Sequence, residues 1–298
     1  MRRNRKIICK RGNLELTFGE DPHSPFFLTD ADGLYSTEVD VNTTDNVFED
    51  GSTYQSSRIT ARNITLTIRD RGKDDHISVR NMIMSLFSPK AKGRLTIKEN
   101  DGDTENEKVI DYYVEKIISD GLNSSREFTI SLICPDPYFY DPDDKVVRMA
   151  SYAGLFTFQH NFTASREEIG ARIQAKSSSI SNEIGADAVG LTITFSVHGA
   201  VTNPSVTRVE SQETIQIGTS SKPLSLVYGD LLTVTTGSGN KHIYLTRSGV
   251  QSEINQYLSS DSSFFELHQG DNTIGFSADS GSGNLDITIS YRMRYTHA

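Results

Sequence analysis

Leu191, Ile193, Phe195 and Val197 alternate with Thr192, Thr194 and Ser196. Successive side chains of a strand point to opposite faces, so this stretch is a strand with one buried and one wet face. Short runs of the same kind follow at SVTRVE, TIQIG, LSLVY, LLTVTT, HIYLTR, FFELH and NTIGFS. The last, NLDITISYRMRY, puts Leu285, Ile287, Ile289, Tyr291 and Met293 on one side. Turn signals lie between the runs at Gly229-Asp230, TGSGNK, HQGDN and SGSGN. Strands punctuated about every 8–12 residues predict a sandwich of jelly-roll type.

The first half is also strand-rich. RNITLTIRD alternates Ile64, Leu66 and Ile68 with polar residues, and RLTIKEN does so with Leu95 and Ile97. VIDYYVEKII and REFTISLIC read as two more strands. Between the strands at Leu95–Ile97 and Val109–Ile110, ENDGDTENE is an acidic hairpin loop, with Asp101-Gly102 supplying the turn. A second Asp-Gly, Asp50-Gly51, lies in VFEDGSTYQSSRI and marks another, very polar hairpin. Val79, Met82, Ile83, Leu86 and Phe87 follow a helical stripe, started by Asp74 or Asp75 and stopped before Pro89. From Lys145 a first strand gives way to a long Ser/Ala-rich excursion over 151–185, where REEIGARI supplies at most one helical turn.

With 298 residues the chain exceeds what a single core of roughly 250–300 residues comfortably serves, so two domains are expected, 1–140 and 141–298. The fold class is mainly β: a sandwich with one packed α-helix, then a jelly roll. No apolar run approaches the roughly 20 residues of a membrane helix. The N-terminus lacks the apolar core of a secretion signal. Cys9 and Cys134 are too few for a disulfide framework, and the expectation is a soluble chain folded in a reducing cytoplasm. A net charge of −9 argues against a dedicated nucleic-acid binder. Arg2, Arg3, Arg5, Lys6, Lys10 and Arg11 read as a solvated terminal arm, or as an arm meeting an acidic neighbour or a DNA backbone.

Nothing in the sequence assembles a catalytic set. Seven histidines show no HExxH spacing and there is no CxxC pair. The acidic loop fails as a calcium loop, since counting back from Gly102 puts Ile97 at the first ligand position. The GSGN clusters are followed by strands, not by the helix a phosphate loop requires. Asp141, Asp143 and Asp144 lie in a linker-like stretch, where solvation explains them. The expectation is no enzyme, no metal and no cofactor. Sugar binding by the C-terminal sandwich is the alternative function; in a chain without Trp, Tyr228, Tyr244 and Tyr257 are the candidate stacking residues.

One stretch joins the halves: Cys134-Pro135-Asp136-Pro137-Tyr138-Phe139-Tyr140. Cys134 shares parity with Phe128, Ile130 and Leu132, so it packs as a small hydrophobe. Pro135 and Pro137 cannot donate ladder hydrogen bonds and end the strand. Tyr138, Phe139 and Tyr140 offer a large surface to pin, so the stretch is expected to act as a rigid inter-domain hinge.

The order of a polar hairpin, an R-I-T strand, one amphipathic helix, a second hairpin and CPDPYFYD resembles the distal tail proteins of long-tailed bacteriophages with flexible tails. SNEIGADAVGLTITFSVHGAVTNPSV is similar to the opening of that family's second domain. Ser259–Phe276 is similar to it through Ser-x-x-Phe followed by Leu-x-x-Gly-x-Asn. The resemblance covers residues 60–298 well, the first 60 loosely, and 151–185 least. It implies a tail-tube-like first domain, six copies in a ring, and an outward, galectin-like jelly roll. The implied partners are the chain itself, the tail-tube protein, the tail-tip protein and a receptor-binding protein. DNA passes through the ring without specific binding, no membrane is involved, and the place is the virion tail tip after assembly in the host cytoplasm. In such a ring the extended hairpins Val47–Ile59 and Lys98–Val109 are the candidate subunit contacts, through Val47, Phe48, Asp50, Gly51, Tyr54, Asp101 and Gly102.

Overall fold

Alternation in the sequence becomes burial in three dimensions. Ile64, Leu66, Ile68, Phe128, Ile130, Leu132 and Cys134 are all fully buried, as is Leu95, with Ile97 nearly so. The computed structural model describes residues 4–19, 26–46, 50–72, 75–101, 104–119, 126–154, 170–174, 177–183, 185 and 188–298. The chain forms two compact units, residues 1–142 with 294–298, and residues 143–293. Residues 294–298, expected in the second domain, thus fold with the first.

The first unit contains β1 (Asn4–Arg11), β2 (Leu14–Gly19), β3 (Phe26–Asp32), β4 (Val39–Asp45), β5 (Ser52–Ile59), β6 (Arg62–Asp70), α1 (His76–Leu86), β7 (Lys92–Asp101), β8 (Thr104–Ser119), β9 (Glu127–Cys134) and β10 (Phe139–Tyr140). The C-terminal residues return to it as a short strand, Arg294–Tyr295, paired with β10. The sheet runs β8-β7-β1-β2-β3-β6-β9 and closes by β8 pairing with β9. Closure depends on the length of β8, which has 16 residues. Residues 104–113 pair with β7 and 113–119 with β9, with a register shift between Val114 and Lys116 that bends the strand. Where the sequence suggests two packed layers, the first unit is thus a single sheet rolled shut.

β1 lies between β2 and β7 with Ile7 and Cys9 fully buried. Residues 4–11 of the basic segment are therefore not a solvated arm: two inward apolar residues make it an interior strand, and its cations face outward or sit at the rims. Arg2 and Arg3 lie outside the described residues.

α1 is capped by Asp75, whose carboxylate accepts from Ser78 N. Val79, Ile83, Leu86 and Phe87 are buried, whereas Met82 is 48% exposed. Met82 lies on the flank of the stripe, and three buried positions per two turns suffice to seat the helix. Phe87 meets Phe18 at 6.2 Å and Tyr112 at 6.0 Å between ring centroids. Gly93 makes room for this cluster, because a Cβ there would strike the Tyr112 ring. Replacing Asp75 with Ala is expected to cost about 1 kcal/mol. A lower urea midpoint at constant slope is the readout, and an unmoved midpoint would mean the cap contributes nothing.

The second unit contains β11 (Lys145–Arg148), β12 (Ala150–Gly154), β13 (Gly170–Gln174), β14 (Ser177–Asn182), β15 (Leu191–Val197), β16 (Val201–Arg208), β17 (Glu213–Gln216), β18 (Ser225–Leu226), β19 (Leu231–Thr235), β20 (His242–Arg247), β21 (Val250–Glu253), β22 (Gly270–Ser280) and β23 (Leu285–Tyr291). β11-β23-β15-β19-β20-β21 form one sheet; β14-β22-β16-β17, with β18 on β16, form the other. Ile193, Phe195, Ile287 and Ile289 of the first, and Val206, Ile215 and Ile274 of the second, supply the core. β12 and β13 pair with each other. REEIGARI is thus strand from Gly170 on, because its neighbour 150–154 offers a ladder a lone helical turn lacks; 155–169 lie outside the described residues.

Candidate functional site

Arg62 opens β6 with the same parity as Ile64, Leu66 and Ile68, so its side chain points inward and is 5% exposed. Its guanidinium meets only neutral acceptors. Nε donates to Pro137 O (2.8 Å), Nη1 to Gly33 O (2.6 Å) and Ser36 O (2.5 Å), and Nη2 to Thr37 Oγ1 (3.2 Å) and Thr296 O (2.6 Å). All five donors of the group are thereby used. The face of the cation covers the Phe139 ring at 4.9 Å. Burial pulls the guanidinium below its ordinary pKa. Gly33 adopts φ +82° and lies so close to Asn63 O that any Cβ would collide, so only glycine presents this carbonyl to Arg62.

The clasp gathers residues 33–37, 137–139 and 296, and so holds the hinge candidate within the first unit. Cys134 ends β9 opposite Arg62. Pro135 and Pro137 bracket Asp136, whose carboxylate accepts from Tyr138 N (3.2 Å) and the Tyr140 hydroxyl (2.7 Å). Phe139 is fully buried and pairs with Tyr295, while Tyr140 pairs with both Val109 and Arg294. Arg294 covers the Tyr138 ring at 4.3 Å, and Lys108 Nζ sits 3.1 Å from the centre of the Tyr295 ring. Thr37 Oγ1 adds a bond to Thr296 O (2.7 Å), and Ala298 N donates to Leu34 O (3.1 Å). The strands that lead out of the first unit and back into it therefore lie side by side.

β4 and β5 form a hairpin that pairs with no other strand among the described residues. The hairpin begins at Val39, earlier than the sequence suggested, and its turn spans 46–51, where Asn46 N donates to Gly51 O. Gly51 provides φ +94° at the end of that turn, next to exposed Asp50. Val47 and Phe48 lie outside the described residues. One face carries Asp40 ion-paired with Arg58, then Asn42 opposite Ser56 and Thr44 opposite Thr53. The other carries Val39, Val41, Tyr54 and Ile59 interspersed with Thr43, Asp45, Ser52 and Ser57; Val41 is 57% and Tyr54 61% exposed, and the Tyr54 hydroxyl bonds Ser57 Oγ at 2.8 Å. An isolated two-stranded hairpin is marginally stable in water, and this one exposes Val39, Val41 and Tyr54 on its more apolar face.

In the β7–β8 hairpin Asp101 pairs with Thr104, leaving Gly102 and residue 103 as the connection, outside the described residues. Burial raises the thiol of Cys9 and pushes that of Cys134 up to about 12, so both are packing groups without thiolate chemistry. Tyr228 is 78% exposed in the turn before β19, Tyr244 stacks on His242 at 5.6 Å, and Tyr257 lies under Lys222 Nζ at 4.8 Å. They occupy three separate elements, and no described contact joins them. His242 bonds Glu253 at 2.6 Å and His198 bonds Asp286 at 2.8 Å. Among the described residues no three His, Cys, Asp or Glu side chains gather as a metal site.

The sequence reading missed Arg62, although its inward parity was available, and the return of 294–298, for which RMRYTHA carries no signal. The first unit is a rolled sheet whose β4–β5 hairpin has no further strand partner among the described residues, and the second unit is inserted before its last strand. Residues 15–134 match the phage tail protein RIFT-related domain, and residues 184–295 the siphovirus-type tail component, C-terminal domain. The two matches together span most of the chain, which belongs to the distal tail proteins of siphovirus-type phages. Among solved structures, the Dit protein (gp 19.1) of phage SPP1 shares the fold, with a TM-score of 0.64 and 11% identity over 97% of this chain and 99% of that one. Chains of the phage p2 baseplate in its activated conformation, with Sr and with Ca, align at TM-scores of 0.48 and 0.46, each with 8% identity over the whole of both chains. A search of curated proteins finds no match.

Proposed function

We propose that six copies of this chain form a closed ring that continues the tail tube and receives the tail-tip protein, with the second unit serving host-recognition proteins. The observation that carries this reading is the β4–β5 hairpin, whose exposed apolar face and free edges suit strand addition to a neighbouring copy. A ring is closed by heterologous contacts, in which one surface meets a different surface of the next subunit. Residues 134–140, held by Arg62, then serve as the fixed point from which the second unit departs. DNA crosses the ring without specific binding, consistent with the net charge of −9 per copy. Assembly takes place in the host cytoplasm and the protein ends at the virion tail tip.

The test is mass photometry with negative-stain microscopy of the full chain, alone and mixed with its tail-tube and tail-tip proteins. A six-fold ring with a central channel is the expected result. A monomer in every mixture overturns the reading.

A further inference from the structure

Residues 33–38 join β3 to the β4–β5 hairpin and are fastened at every position. Asp32 Oδ1 accepts from Gly33 N at 2.7 Å. Leu34 is fully buried, and its carbonyl accepts from Ala298 N. Gly33 O, Ser36 O and Thr37 Oγ1 all take donors of Arg62. Glu38 O accepts from the amide of Thr60 (3.1 Å) and from its hydroxyl (3.4 Å), on the other leg of the hairpin. That leg passes from β5 into β6 through Thr60 and Ala61 alone. Both legs are therefore seated on Arg62, the first residue of β6.

Tyr35 is the one member of this connection fastened from the far side. It is 48% exposed, yet its hydroxyl donates to Glu99 and its ring lies under the Arg5 guanidinium at 5.1 Å. Arg5 and Glu99 face each other in the β1–β7 ladder and are joined at 2.7 Å. β3 has β2 and β6 as its sheet neighbours, so Tyr35 ties the connection to two strands that β3 does not pair with. A ring half in water adds little to the core. What its attachment can fix is direction. A hairpin free to swing at its root must give up that freedom when it joins a partner, and fixing it beforehand removes the cost.

We propose that Tyr35, braced by Arg5 and Glu99, is a positioning residue for assembly: it aims the β4–β5 hairpin before a neighbouring copy arrives. The proposal rests on the ring reading and extends it to residues outside the contact surface. Arg62 holds the root from within, and Tyr35 holds it from the opposite wall.

The experiment has two readouts on the full chain. Spin labels at Ser56→Cys on the hairpin and Lys116→Cys on the barrel report the swing of the hairpin as a distance distribution. Both sites are exposed, and the native cysteines are buried away from the label. Sedimentation velocity, alone and with tail partners, reports self-association, and urea midpoints report folding. Tyr35→Ala is expected to widen the distribution and weaken self-association about tenfold at an unchanged midpoint. Tyr35→Phe keeps the ring under Arg5, loses only the hydroxyl, and should fall between. If Tyr35→Ala lowers the midpoint, Tyr35→Phe and Glu99→Gln carry the test. An unchanged distribution overturns this inference and leaves the ring intact. So does a wider distribution with unchanged association. Weaker association without widening also overturns it, because Tyr35 would then touch the neighbour itself. A wild type that never associates, even with tail partners, overturns the ring and this inference with it.

Discussion

Replacing Arg62 with Met is expected to lower the stability of the first unit by about 3–5 kcal/mol. The substitution keeps much of the buried volume but strands the carbonyls of Gly33, Ser36 and Pro137 without their donor and leaves Thr296 O with Thr37 Oγ1 alone. Each buried acceptor left unmade costs on the order of 1–3 kcal/mol, less where water can reach it. Arg62→Lys should recover little, since three ammonium donors on a point charge cannot span acceptors arranged for a planar fork. Urea unfolding followed by near-ultraviolet circular dichroism gives the measurement, and a midpoint within error of the wild type would refute the clasp. Because Thr296 is one of its acceptors, removing residues 294–298 should reproduce part of the loss.

Arg62 also marks the limit of what the sequence discloses. The parity that buries Ile64, Leu66 and Ile68 also buries Arg62 and Asp70 at the two ends of β6. Period-two reasoning sorts apolar residues well because burial needs no partner. An inward charge is stable only where acceptors from distant segments converge, and convergence over 234 positions leaves no local trace. Arg126 illustrates the same point, since its pairing with Asp70 at 2.9 Å is invisible in TIRDR or SSREF. Barrel closure was hidden for a related reason. The length of β8 depends on residues 104–119 remaining extended through a register shift, whereas the sequence separates an acidic loop from an apolar strand. The strands of the jelly roll were mostly legible from alternation, FFELH excepted, but their order was not, since only β16–β17 and β19–β20–β21 pair across short turns while β15–β23 and β14–β22 join distant segments.

Val41→Asp combined with Tyr54→Asp is expected to abolish ring formation, weakening self-association at least about 100-fold. Both side chains lie on the apolar face of β4–β5. Stability of the isolated copy should move by no more than about 0.5 kcal/mol, because neither side chain is packed. That contrast separates a contact surface from a folding element. Placing charges on the already polar face, at Asn42 and Ser56, is the control and should leave assembly unchanged. A ring that survives the double substitution would show that the hairpin serves something other than subunit contact.

Phe139–Tyr140 and Arg294–Tyr295 are ladder neighbours, so everything between them enters and leaves the barrel through a single doorway. The intervening 143–293 is in this sense a cassette. Its ends are brought together by the host fold, the condition under which whole domains are tolerated as insertions. Lineages of such tails can therefore exchange, enlarge or trim what the barrel carries while the strand order that closes it stays untouched.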